Sequence, residues 1–303
     1  MTDGVIAPLN ELIDLRRYAR KIHYKPGNSS VSAGNHLSKL RGRGMDFSEV
    51  RNYQAGDEIR HMEWRVTART GRPHIKIYQE ERERPVVILS DFNPSMYFGT
   101  RVAFKSVLAA RLAALIAWTA VRQGDRVGGL VYSASRHDEF MPRSREAGIL
   151  PWLASLSDYT NQGINPAQAE PRLLSDALLR LRRVTRPGSI LVLISDFYQL
   201  DADSEKHLSR LRAHNDILVY HICDALELNP PRPDVYAITN GGEEILVDTR
   251  IHRVSDDYRH YCQQRLLNLQ SLCKRLQIQY VTVTAEQDLV QLVRQTFPRR
   301  SRD

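Results

Sequence analysis

Few features of this sequence advertise a chemistry. Of 303 residues only three are cysteine, Cys223, Cys262 and Cys273. Their odd number and irregular spacing argue against a disulfide framework or a zinc motif and leave ordinary thiols. No apolar run approaches the ~20 residues that cross a bilayer. The opening MTDGVIAPLNELIDLRRY has early acids and no long apolar core, so a secretory signal is not expected. There is no G-x-S-x-G elbow, and the histidines are scattered with no serine, cysteine or acid grouped around them, which argues against a nucleophilic hydrolase. Internal repeats and low-complexity tracts are missing as well. These absences predict a soluble, cytoplasmic protein that is not an enzyme.

What is present is an ordinary globular composition, 42% hydrophobic and 26% charged, in a chain long enough to bury a full core. The net charge is +8, and residues 1–84 carry 16 Lys and Arg against 11 Asp and Glu. Such a balance permits an acidic protein partner or nucleic acid. Acids are interleaved with the bases, and no basic stripe carries regularly spaced aromatics, so nucleic acid is the weaker expectation.

The chain reads as four parts. Residues 1–35 hold a helix, with Leu9, Leu12, Ile13 and Tyr18 on one face, and a linker KPGNSSVSAGN at 25–35. Residues 36–84 form an Arg-rich block with little long apolar run, in which HIKIYQEE alternates like an exposed strand. Residues 85–297 alternate strands and helices, and 298–303 are a basic tail. Alternation of this kind predicts an α/β fold: a doubly wound, mostly parallel, Rossmann-like sheet with right-handed crossovers, behind a small N-terminal β-rich unit. VYAITNGGEEILVD reads as a hairpin turning at Asn240-Gly241.

Two apolar runs, PVVILSDFNPS and SILVLISDF, each end in an acid, Asp91 and Asp196. In open α/β sheets ligands collect beyond the C-terminal ends of the strands. Alternate residues at a strand end can point the same way, so Asp91, Asn93 and Ser95 could share one pocket, and Asp196 would add a second carboxylate. Such oxygens suit Mg2+ or another divalent cation; the alternative is that they cap helices and satisfy loop amides. The same two acids would also be the ones to use in a metal-dependent phosphoesterase. Gly99–Ser106 imitates a phosphate-binding loop, but Phe104 stands where a glycine is needed, and Lys105 is expected on a helix surface. Asp201-Ala202-Asp203-Ser204-Glu205 imitates a calcium loop and is read as a helix cap at Asp203 or Ser204.

The block Gly42–Thr70 holds Arg43, Arg51, Arg60, Arg65 and Arg69 together with Asp46, Glu49, Asp57, Glu58 and Glu63. Arginine suits planar contacts to carboxylates. The pattern fits internal ion pairs, or a docking surface for an acidic partner or phosphate. Trp64 is expected to be the apolar anchor of this unit.

GRGMDFSEVRNYQAGDEIRHMEWRVTART resembles the signature of the bacterial domain of unknown function 58 family. The match runs through Gly42, Gly44, Asp46, Phe47, Arg51, Tyr53, Gly56, Asp57, Arg60, Trp64, Thr67, Ala68 and Arg69. The resemblance implies a von Willebrand factor A-like domain with a metal-ion-dependent adhesion site, onto which Asp91, Asn93, Ser95 and Asp196 map. Asn93 replaces a serine of that pattern, and Arg172 stands near the position of an expected threonine. The resemblance further implies an accessory protein of a MoxR-type AAA+ ATPase, acting in assembly or maturation of another complex and completing the cation's shell with a partner's acid. A metal-free scaffold that docks through the Arg-rich unit is the alternative.

Overall fold

The computed structural model describes residues 4–20, 22, 45–54, 57, 59–80, 84–162, 172–229, 231–239 and 244–297. The 25–35 linker, Arg43, the Asn240-Gly241 turn and the 298–303 tail lie outside these residues. The chain divides into two compact units, residues 30–83 and all the rest, with residues 1–29 in the larger unit.

The N-terminal segment thus does not stand apart, as the sequence suggested. Its helices α1 (Leu9–Asp14) and α2 (Arg16–Ala19) bury Leu12 and Ala19 in the core of the larger unit. Trp118 Nε1 donates to the Leu12 carbonyl at 2.8 Å across 106 residues of chain. An amphipathic face shows that a helix will be covered, but not by what.

The smaller unit pairs β1 (Met45–Asn52) antiparallel with β2 (His74–Glu80), and between them lies α3 (Trp64–Thr70). Gly71, in the left-handed region at φ 69°, closes α3, and only glycine adopts that conformation at no steric cost.

The larger unit continues with β3 (Val86–Asp91), α4 (Lys105–Arg122), β4 (Val127–Tyr132), β5 (His137–Arg143), α5 (Glu146–Gln162), α6 (Leu174–Val184) and β6 (Ile190–Ser195). Then come α7 (Ala202–Arg212), β7 (Asp216–Ile222), α8 (Ala225–Leu228), β8 (Val235–Thr239), β9 (Glu244–Asp248), α9 (His252–Arg275), β10 (Gln279–Val283) and α10 (Leu289–Thr296). Six strands form one sheet in the order β10-β7-β6-β3-β4-β5, every pair parallel except β4–β5. β8 and β9 make a separate antiparallel hairpin.

The apolar runs fill both faces of this sheet. Val86, Ile88, Ile190, Val192 and Ile194 pack with α4, α5 and α10 on one side. Val87, Leu89, Leu191 and Leu193 pack with α6, α7 and α9 on the other. A strand covered on both faces must be apolar at every position, hence the continuous runs. Several elements were not read from sequence, among them β5 and α5 and the short helices α3 and α8. β5 is the antiparallel edge and is only half covered, and Pro151 inside α5 interrupts the helical signal. Helix α4 is buried on nearly every side, as an apolar helix without a polar face has to be.

Candidate functional site

Strands β3 and β6 are direct neighbours, Ser90 opposite Ile194. Asp91 ends β3, and Asp196 follows the last residue of β6, so the two acids lie side by side at the C-terminal rim of the sheet. Each is 1% exposed. After Asp196 the chain turns through Phe197 at φ 54°, a conformation that is rare for a bulky residue and found where surrounding structure enforces it.

The oxygens predicted from sequence are together, but they are engaged. Asp91 Oδ1 accepts from the Asn93 amide at 2.8 Å, and Asp91 Oδ2 accepts from Ser195 Oγ at 2.6 Å. Asn93 Oδ1 accepts from the Arg172 amide at 3.0 Å, while Asn93 Nδ2 donates to the Arg172 carbonyl at 3.1 Å. Arg172 thus meets this site through its backbone; its guanidinium lies 3.2 Å from His137 Nδ1. Asp196 Oδ1 accepts from the Tyr198 amide at 3.1 Å. Ser95 Oγ is buried beside Asp196, close enough to favour its charged form but without the geometry of a hydrogen bond.

The group that dominates this rim is Lys105, which the sequence reading placed on a helix surface. It is 2% exposed. Its Nζ donates to Asp196 Oδ2 at 2.8 Å and to Glu227 Oε1 at 2.7 Å. Tyr198 and Phe98 offer ring faces with centroids 5.1 and 5.9 Å from the same nitrogen. The surface expectation failed because α4 buries even its first turn. One sign was available: a lysine at the first position of an apolar helix sits against the positive end of the helix dipole, which calls for acids nearby. Glu227 had no such sign. Thr100 is engaged too, its amide and Oγ1 donating to Asp224 at 2.9 and 2.7 Å. The loop that imitates a phosphate cradle is therefore tied to the protein itself. The calcium-loop imitation is a cap, but Asp201, not Asp203 or Ser204, is the N-cap of α7, with Ser204 reciprocating.

Electrostatics separate the two rim acids. Burial pushes the Asp91 carboxyl up to about 7, the Asp196 charge adds to the push, and bonds from Ser195 and Asn93 oppose it. Burial alone would raise Asp196 as well, but the Lys105 charge and hydrogen bond hold it below the usual carboxylate range. Burial works against the Lys105 ammonium, and Asp196 and Glu227 outweigh it, so the lysine stays charged. A divalent cation needs several acceptor oxygens turned inward together. Here Asp91 and Asn93 are committed to backbone and hydroxyl donors, and Asp196 is committed to an ammonium. As arranged, this set does not fit a divalent cation. Among the described residues no cluster of His, Cys, Asp and Glu is grouped to hold a metal. Cys223, near the end of β7, is raised by burial and stays a protonated thiol.

The smaller unit presents the opposite case. Arg51 is committed, its guanidinium gripping Asp57 with two bonds of 2.9 and 2.7 Å. Glu63 caps α3 and pairs with Lys76 at 2.5 Å. Arg60, Arg65 and Arg69 are exposed, and the Arg65 charge helps to hold the Glu63 carboxyl below its usual range, after the Lys76 hydrogen bond. Trp64, expected as the unit's anchor, is 65% exposed, and Ile59 is 63% exposed. A helix of seven residues beside a two-stranded sheet has too little neighbouring surface to cover an indole.

A family model described as "Protein of unknown function DUF58" matches residues 49–266. Uncharacterized proteins of Mycobacterium bovis and Mycobacterium tuberculosis are 29% identical over 201 residues, 66% of this chain. The match spans 62% of the length of those relatives. Among solved structures, a conserved hypothetical protein BatB from Bacteroides thetaiotaomicron aligns over 70% of this chain and 96% of its own, at 16% identity and TM-score 0.43. Proximal thread matrix protein 1 of the mussel byssus aligns over 46% and 37%, at 13% identity and TM-score 0.33. No helix among the described residues is long and apolar enough to cross a membrane.

Proposed function

Because the chain belongs to the DUF58 family of proteins of unknown function, we propose that it is a non-enzymatic interaction module that docks an acidic partner through its Arg-rich unit, with no metal bridge. The partner we name is a MoxR-type AAA+ ATPase, as the family resemblance implies, in assembly or maturation of another complex. A von Willebrand factor A-like domain is the finer description of the α/β fold that goes with this role. A cytoplasmic location suits three cysteines that all remain thiols.

One observation carries the proposal. Arg60, Arg65 and Arg69 stand exposed beside the exposed Trp64 and Ile59. Tryptophan and arginine dominate binding energy at protein interfaces. Cations held at the surface beside exposed apolar side chains are placed to meet an acidic partner.

The test is capture of the purified ATPase by the full chain. Capture should survive excess chelator and fall about tenfold or more in Arg60→Glu/Arg65→Glu, with the circular dichroism spectrum unchanged. Loss of capture in chelator, with the charge-reversed variant still binding, would return the contact to a cation at Asp91 and Asp196.

A further inference from the structure

We infer that Lys105 is a tethered cation that takes the place of a bound ion at the rim of the sheet, joining Asp196, after β6, to Glu227, in α8, without metal. The inference is separate from the docking surface and concerns only the larger unit.

The geometry is that of a bridging ion carried on a side chain. One ammonium draws together Asp196, after β6, and Glu227, in α8, at 2.8 and 2.7 Å. The ring faces of Tyr198 and Phe98 stand near the same nitrogen, Tyr198 nearer, and favour its charge. Glu227 is itself fixed: its other oxygen accepts from the Asp224 amide at 2.8 Å, and Asp224 holds the loop at Thr100. Through Lys105, therefore, the end of β6, the turn after β7, the loop after β3 and the start of α4 meet at one positive charge. A metal ion at the rim of a sheet makes the same kind of connection, but only while it is bound. A side-chain amine cannot leave. The lysine also stands at a helix N-terminus, against the dipole, and is buried. Both conditions disfavour a cation unless carboxylates surround it, as Asp196 and Glu227 do.

The experiment is thermal unfolding of the purified full chain in EDTA and in millimolar Mg2+, Ca2+ or Mn2+, with native mass spectrometry for bound ions. Wild type should melt at one temperature in all of these and carry no ion. Lys105→Ala, with buried Asp196 and half-buried Glu227 left without their cation, should melt roughly 10 °C lower and recover part of that loss in Mn2+. Should Lys105→Ala fail to fold, Lys105→Gln, which fills more of the space and drops the charge, takes its place in the same series. The inference is overturned if wild type gains several degrees or one bound ion in Mn2+. It is equally overturned if the lysine variant melts lower yet ignores metal, which would make Lys105 an ordinary ion-pair partner.

Discussion

At the rim of the sheet, Lys105 is 2% exposed and shared between two carboxylates. In the smaller unit, Arg60, Arg65 and Arg69 are exposed. Both regions are rich in cations, and both looked like binding sites in the sequence. The difference is where the countercharge comes from. The rim supplies its own, so its polar groups are spent on holding the fold. The Arg-rich unit holds part of its charge at the surface and so keeps the capacity to bind. Residue type shows that a region can make charged contacts; only partner assignment shows whether it already has.

The comparison breaks first if the rim charges prove dispensable. Removing one of the two carboxylates leaves the buried ammonium with Glu227 alone, at up to about 3–5 kcal/mol. Asp196→Ala should therefore lose that much stability in urea unfolding, and a loss under about 1 kcal/mol would mean that Lys105 turns readily to water. Next in size is Trp64→Ala. An exposed indole contributes little to folding, whereas a hot-spot tryptophan contributes roughly 2 kcal/mol or more to binding. The variant should keep its melting temperature and lose partner affinity; a lower melting temperature would make Trp64 structural after all.

The smallest effect is in pH. Asp91 has a raised carboxyl, at about 7, so its stabilising contribution is complete below the unfolded value near 4 and is lost as pH rises through about 7. His221, 7% exposed and hydrogen-bonded to the Tyr280 hydroxyl at 2.7 Å, is lowered by burial to about 4. Its contribution is complete above about 6.5 and is lost as pH falls through about 4. The two slopes oppose each other between pH 4 and 7 and should nearly cancel in wild type. Asp91→Asn should make acid more destabilising and His221→Gln should make it less so, by at most about 1.4 kcal/mol per pH unit. Parallel pH profiles for the three proteins would show that neither group is held as the structure has it.

The sheet was legible because its strands are covered on both faces, which writes Val86–Asp91 and Ile190–Ser195 as unbroken apolar runs. The rim acids were legible for the same reason, since a carboxylate that ends such a run stands out. β5 and α5 were hidden by half exposure and by Pro151. At the site, Asp91, Asn93, Ser95 and Asp196 were found and do gather. What they touch was not foreseen, because hydrogen-bond partners are chosen across the fold and not along the chain. Trp64 misled in the opposite direction: a large aromatic in a small unit is read as core, but burial depends on how much surface its neighbours offer.

The order of residues alone determined that this is an α/β protein with a parallel sheet and a separate Arg-rich block. Those features follow from periodicity and local composition, which a chain carries with it before it folds. The tertiary structure alone decided that the rim holds a lysine between Asp196 and Glu227, which are 91 and 122 residues from it in sequence. Nothing local pairs groups so far apart. The pairing exists because α4 is buried against the sheet with its first residue facing the strand ends, where an ammonium out of water must find carboxylates.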